Sequence, residues 1–317
     1  MDSLYRIPNP KNWPKSYIDQ IFESDSLKFL RKLPDDCIAL AITSPPYWNV
    51  KDYEHENQIG PTSYEDYLNT LLDVWKETER ILIPNGKLVI VTPILPIPKK
   101  VNNEHHTRQY KNINNDIEHT ILNNTDFQRY SLFIWQKQTS IKMFGSYPFP
   151  PNLYEDNTIE FINVLVKSGE PPKISKEAKE PSKLTQEEWR NLTMQVWPMY
   201  PADVKRSGEH PAPFPLVLPQ RLMMMYSFKA NLDVGFEGDI VLDMFNGTGA
   251  TSQATKALNR RYIGIDLNPE YCKMAQNRIK TGNFWEGVEE YNILLESQRV
   301  TNPRNSRQAQ LFPPNSE

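Results

Sequence analysis

Three compact, mainly apolar runs punctuate the chain: CIALAITS (Cys37–Ser44), KLVIVT (Lys87–Thr92) and DIVLD (Asp239–Asp243). None alternates polar with apolar, so each predicts a strand buried on both faces, as in a parallel sheet. Between the first two, TSYEDYLNTLLDVWKETERIL sets Tyr64, Tyr67, Leu68, Leu71, Leu72, Trp75 and Leu82 at helical spacing. Ser63 with Asp66 offers a capping box at its start, and Pro84–Gly86 reads as a turn at its end. Upstream, YIDQIFESD predicts a strand ending near Asp25, and SLKFLRKLPDD a short helix stopped by Pro34. YSLFIWQK and IEFINVLVKSG predict two later strands, neighbours in antiparallel pairing. PLVLPQRLMMMYSF predicts a helix, and the stretch from Asp239 to Ile279 reads strand, glycine loop, helix, strand, acidic turn, helix. Strand and helix alternate, which predicts an α/β fold with a mostly parallel, doubly wound sheet.

Other stretches break this rhythm. Residues 1 to about 16 read as an irregular lead-in, and 96–128 as a polar excursion rich in Asn, His and Lys with little periodicity. From 169 to 208 prolines mix with alternating lysines and glutamates, which predicts a small insertion. The chain thus divides into 17–168, the insertion 169–208, a glycine-loop half 209–281, and an extension and tail over 282–317.

Composition narrows the picture only slightly. A net charge of −3 over 317 residues marks no strongly basic nucleic-acid binder, yet permits a local basic cleft. Cys37 and Cys272 supply neither a disulfide framework nor a CxxC pair, so a reducing, cytoplasmic setting is expected. No apolar leader opens the chain and no run of 18 apolar residues occurs, so neither secretion nor a membrane span is expected. His105 and His106 lack companion ligands at zinc spacing, and no metal is expected.

Chemistry concentrates at two strand ends. Asp243 closes DIVLD, and FNGTGAT opens the next helix, where glycines let backbone N–H groups approach a ligand. Asp266 closes the following strand, placed to accept from both hydroxyls of a ribose. A dinucleotide fingerprint would have glycine where Ser252 stands, and the Asp243 carboxylate would repel a pyrophosphate. An amino group and a sulfonium suit that carboxylate better, so S-adenosyl-L-methionine is favoured over NAD. The second strand end is TSPPYW, from Thr43 to Trp48. Its two prolines have fixed φ and aim their carbonyls, Ser44 adds a hydroxyl, and Tyr47 offers a ring on which a base can stack. A hydroxyl and a rigid carbonyl together can accept both hydrogens of an exocyclic amine and free its lone pair for attack on a methyl group.

TSPPYW followed downstream by VLDMFNGTGAT and GIDLNPEYC resembles the DNA amino-methyltransferases, which methylate N4 of cytosine or N6 of adenine. The likeness extends from about Ile21 to Ile279, with the catalytic motif first, in the permuted order of the family's β group. It implies a Rossmann-like S-adenosylmethionine-dependent methyltransferase fold with an inserted target-recognition region. Ser44, Pro45, Pro46 and Tyr47 would be catalytic. Asp243, Phe245, Asn246, Gly247, Thr248, Gly249, Asp266 and Leu267 would hold the cofactor, with Asp25 near its adenine. His210, Pro211 and Phe214, from HPAPFP, would fold over its methionine half. The Asn246-containing NGTG departs from the family's more usual small-residue loop.

The resemblance further implies double-stranded DNA as substrate, a flipped-out target base and direct transfer without a covalent intermediate. Both cysteines are then structural, since only ring-carbon methylation needs a thiolate. Ser44, rather than Asp or Asn, leans toward cytosine N4; adenine N6 is the alternative. A protein or RNA amine methyltransferase and a non-catalytic DNA-binding subunit are the remaining readings. Target recognition would fall to 170–208, with Lys173, Lys176, Lys179, Lys183, Arg190, Lys205 and Arg206, or to the excursion at 96–128. A restriction endonuclease acting on the same site is the expected companion, with no membrane partner. The active unit would be a monomer or homodimer.

Overall fold

The computed structural model describes residues 15–48, 59, 62–96, 110–137, 144–146, 148–150, 153–155, 157–199 and 215–281. Among these described residues there are twelve strands: β1 (Gln20–Glu23), β2 (Ile38–Thr43), β3 (Leu82–Pro93), β4 (Leu95–Pro96), β5 (Tyr110–Lys111), β6 (Phe127–Lys137), β7 (Phe144–Gly145), β8 (Leu153–Tyr154), β9 (Ile159–Lys167), β10 (Val196–Met199), β11 (Ile240–Asp243) and β12 (Arg261–Asp266). The helices are α1 (Ser26–Leu30), α2 (Tyr64–Ile81), α3 (Ile113–Asn124), α4 (Lys176–Lys179), α5 (Gln186–Leu192), α6 (Val217–Tyr226), α7 (Ala250–Ala257) and α8 (Pro269–Thr281).

Eight strands form one sheet in the order β1-β12-β11-β2-β3-β9-β6-β10. All run the same way except β9, which is antiparallel to both β3 and β6. The unbroken burial of β2 follows from cover on both faces. Ile38 and Ala41 pack with α1, α2 and α3, while Leu40 and Ile42 pack with α6. Helix α2 starts as its sequence dictates, with Ser63 Oγ accepting from the Asp66 backbone N–H at 3.1 Å.

The connections decide where chemistry can sit. From β11 the chain passes through α7 to β12 on one side, whereas β2 passes through α2 to β3 on the other. The paired strands β11 and β2 therefore flank a switch point, and ligands of such sheets lie beyond the carboxyl ends there.

Three expectations change. Pro84–Gly86 is no turn: β3 begins at Leu82 directly after α2, and these residues bulge from it. Ile38 faces Leu82 while Leu40 faces Lys87, so the extra residues are thrown out, with Asn85 at φ +63. The excursion at 96–128 contains α3, a twelve-residue helix anchored by buried Ile113, Ile117 and Ile121 and capped by the Asn112 side chain. The stretch 169–208 forms no separate unit over its described part. It contributes β10 to the sheet, with α4 and α5 docked through buried Ala178 and Leu192.

That docking is at the amino ends of the parallel strands. Lys167, at the end of antiparallel β9, donates to the Leu82 carbonyl at the start of β3. Beyond it, Ser182 Oγ accepts from Lys229 N and the Glu177 carbonyl from Asn231 Nδ2, in the loop that precedes β11. Lys173, Lys176, Lys179, Lys183 and Arg190 thus belong to segments at the end of the sheet opposite the two chemical loops. Lys205 and Arg206 lie outside the described residues, as do residues 1–14, His105, His106 and the 282–317 tail.

Candidate active site

The carboxyl ends of β1, β12, β11 and β2 lie side by side and bring together motifs some 200 residues apart in sequence. A hydrogen bond joins the two loops directly: Thr43 Oγ1 donates to Asp243 Oδ1 at 2.8 Å. Asp243 also accepts from Thr251 Oγ1 at 2.6 Å and from the Phe245 backbone N–H at 3.1 Å. Its side chain is only 2% exposed, and burial pushes its carboxyl up to about 6 against the pull of those hydrogen bonds. This differs from the sequence expectation of a carboxylate facing an amino group and a sulfonium. Asp243 instead knots β2, the glycine loop and α7 into one body.

Asp266 is half-buried and accepts from the Gly247 N–H at 2.7 Å and the Asn268 N–H at 2.9 Å. An ionised carboxylate has about four acceptor positions, so one such group can serve backbone N–H groups and hydroxyls together. Asp25 caps α1 by accepting from Lys28 N at 2.8 Å, and Ser24 N donates to the Asp266 carbonyl, which puts Asp25 next to Asp266. Ser26 Oγ donates to the Met244 carbonyl at 2.6 Å and ties α1 to the start of the glycine loop. Phe245 and Leu267 are half-buried, apolar neighbours of these polar ends.

Within the loop, Gly247 (φ +50) and Gly249 (φ +86) take backbone conformations that a side chain would strain. Two apparent departures of the sequence prove complementary: Ser252 Oγ donates to Asn246 Oδ1 at 2.6 Å. Gly264 makes room for this pair, since a Cβ there would stand 2.8 Å from the Asn246 amide carbon and 2.9 Å from Ser252 Oγ. Asn246 is buried with its Nδ2 unpartnered among the described residues, a donor that a bound group can take up. Thr248 is buried beside it.

The TSPPYW corner is held from behind. Tyr67 of α2 donates its hydroxyl to the Pro46 carbonyl at 2.8 Å, and Trp48 Nε1 donates to the Thr62 carbonyl at 3.0 Å. Trp48 sits at φ +39, an uncommon backbone for a bulky residue and a mark of an over-determined loop. Among the described residues no donor reaches the Pro45 carbonyl. Ser44 Oγ lies 2.8 Å from Tyr47 OH, and Tyr47 OH donates to Glu160 Oε2 at 3.3 Å. The Tyr47 ring is 4% exposed, so it is packed in place rather than offered openly as a stacking face.

His210, Pro211 and Phe214 lie outside the described residues. Sequence reasoning missed Thr43, Thr251, Tyr67, Glu160 and Lys137. Of these only Glu160 left a signal, a charge near the head of a mainly apolar strand. Both cysteines are buried, and burial pushes each thiol up to about 12. A cavity of about 440 Å³ between Tyr130, Trp189 and Tyr226 lies toward the amino ends of the strands and touches neither loop. Among the described residues no three metal-ligating side chains meet, and no helix is long and apolar enough to cross a membrane.

A sheet open at this switch point, with an acid-terminated glycine loop beside a Ser-Pro-Pro-Tyr corner, belongs to a chain with many counterparts among known proteins. A family model described as DNA methylase, covering N6 and N4 methyltransferases, matches residues 38–277. The chain belongs to the N6/N4 DNA methylase family. As a member it is a DNA methyltransferase, and the family uses S-adenosyl-L-methionine. The chain is 26% identical to the Type II methyltransferase M.BglI of Bacillus subtilis, over 89% of this chain and 91% of that protein. It is 28% identical to M.Cfr9I of Citrobacter freundii, over 82% and 87% respectively. Among solved structures, TTHA0409 of Thermus thermophilus, complexed with S-adenosyl-L-methionine, superposes with a TM-score of 0.66 at 29% identity. That match covers 83% of this chain and 93% of the other. PvuII DNA methyltransferase, cytosine-N4-specific, shares the fold at a TM-score of 0.61 and 19% identity, over 87% of this chain and 92% of its own.

Proposed function

We propose that this methyltransferase acts on the N4 amine of cytosine in a flipped-out base of duplex DNA. The observation that carries the reading is the Thr43–Asp243 hydrogen bond, which fixes the amine-binding corner and the cofactor loop against each other at adjacent strand ends. When bound, S-adenosyl-L-methionine supplies an electrophilic methyl group on a sulfonium. Asp266 would accept from the ribose hydroxyls, with Asp25, Phe245 and Leu267 along the adenine and the loop from Asn246 to Gly249 beneath. His210, Pro211 and Phe214 are assigned to cover the methionine half.

The target amine would donate to Ser44 Oγ and the Pro45 carbonyl, which leaves the nitrogen lone pair as the nucleophile. Pro46 holds the corner through its carbonyl bond to Tyr67, and Tyr47 supports Ser44 and bounds the base pocket. Neither cysteine serves as nucleophile, because both thiols stay protonated. Ser44 favours cytosine, because the DNA amino-methyltransferases that this corner resembles lean to Ser at that position for cytosine N4 and to Asp or Asn for adenine N6.

Target reading is assigned to what leaves the carboxyl ends of the strands. The described candidates are the β4–β5 and β7–β8 pairings, the latter with Leu153 and nearby Phe149 exposed. Similarity to Type II methyltransferases supports a modification role beside a restriction endonuclease of the same site. The test is a pair of variants. Ser44→Ala should lower kcat for methyl transfer by about a hundredfold with cofactor affinity unchanged, while Asp266→Ala should lose cofactor affinity in calorimetry. Equal transfer by Ser44→Ala and wild type would sink the assignment.

A further inference from the structure

A second buried polar contact of the TSPPYW corner runs away from the cofactor loop, into the antiparallel part of the sheet. Glu160, the second residue of β9, has Pro93 of β3 on one side and Trp135 of β6 on the other. It is 7% exposed, and its carboxylate is divided between two partners. Oε1 pairs with Lys137 Nζ at 2.5 Å, and Oε2 accepts from Tyr47 OH at 3.3 Å. Lys137, the last residue of β6, rests over the Trp135 ring at 5.6 Å. Ser44 Oγ stands 2.8 Å from Tyr47 OH, so one chain of contacts runs Lys137–Glu160–Tyr47–Ser44.

Donor counting gives that chain a direction. A carboxylate paired with a lysine accepts and does not donate, so the Tyr47 proton goes to Glu160. A phenol has one O–H, so toward Ser44 the Tyr47 oxygen can only accept. The Ser44 hydroxyl must then donate to Tyr47, and what Ser44 presents to a substrate is lone pairs alone. We propose that Glu160, held by Lys137, is a positioning residue that makes Ser44 an obligate acceptor and so selects an exocyclic amine over a carbonyl at the target position. The inference rests on the function proposed above and names what enforces its chemistry. An amine brings N–H donors to those lone pairs, whereas a carbonyl brings lone pairs against lone pairs. Burial of Tyr47 and Glu160 strengthens the effect, because a hydrogen bond in a low-dielectric setting costs more to reverse.

Single-turnover methyl transfer to duplex DNA tests this, alongside cofactor affinity and melting temperature. Glu160→Gln places an amide that can donate to Tyr47 and release the chain's direction. It should lower the transfer rate by about tenfold, the scale of one hydrogen bond to a charged group, with cofactor affinity unchanged. Lys137→Met should do the same and Lys137→Arg should restore the rate, which carries the test should the Glu160 variant fail to fold. In a Tyr47→Phe background the chain is already cut, so Glu160→Gln should cost nothing further. Wild-type rates in Glu160→Gln or Lys137→Met, or an equal loss in both backgrounds, overturn the proposal and leave the function reading standing. A wild-type protein that transfers no methyl group to DNA overturns both.

Discussion

At the scale of single residues, Asp243 is held between opposing influences. Its charge is disfavoured by burial and by the nearby Asp266, and is sustained by Thr43, Thr251 and the Phe245 N–H. A carboxyl raised from 3.8 to about 6 binds its proton more tightly folded than unfolded. Its contribution to stability is therefore complete below about pH 4 and is lost as pH rises through 6. Urea unfolding of wild type and Asp243→Asn across pH 4–7 measures this. The wild type should lose stability relative to the variant over that window, and parallel curves would remove Asp243 as the cause. The sequence marked Asp243 as an acid closing a strand, but its partner Thr43 lies 200 residues away and only the β2–β11 pairing joins them. The Asn246–Ser252 pair was equally hidden, since each read alone as a departure from a motif.

At the scale of elements, strong period and strong burial were legible, while helices built from poor helix formers were not. The buried strands and α2 follow directly from apolar runs and 3.6-residue spacing. Helix α3 escaped because asparagines fill INNDIEHTILNN, yet its three isoleucines at four-residue steps anchor it. Tertiary packing overrides propensity there. The close of α6 was hidden for another reason. Arg260 donates to the carbonyls of Met223, Ser227 and Leu258 and to Ser227 Oγ, with only 6% exposure. Burial lowers its guanidinium to about 10, with Asp239 opposing, so it stays charged at neutral pH. Arg260→Ala removes the guanidinium donor from the Leu258 and Ser227 carbonyls, while the Met223 carbonyl keeps the Ser227 N–H and hydroxyl, and should cost about 2–4 kcal/mol. Thermal unfolding reads that cost, and an unshifted melting temperature would show that water replaces the guanidinium.

At the scale of the whole molecule, topology separates two ends that sequence treats alike. Alternating lysines and glutamates over 170–193 read as a nucleic-acid contact, but antiparallel β9 carries the chain to the far end of the sheet before they occur. Reversing Lys176, Lys179 and Lys183 to glutamate should accordingly leave DNA affinity and its salt dependence unchanged. A reduced salt slope in a filter-binding titration would return that segment to the DNA interface. The two loops proposed for cofactor and amine gather at the opposite end, beyond paired β2 and β11, and their motifs were legible because each closes a strand with residue types that chemistry demands. The most direct test of the account is transfer of labelled methyl from S-adenosyl-L-methionine to mixed-sequence duplex DNA, with the nucleosides then separated by mass spectrometry. N4-methylcytosine is the expected labelled product. Label in N6-methyladenine would contradict the base assigned from Ser44, and DNA without label would contradict the account at its centre.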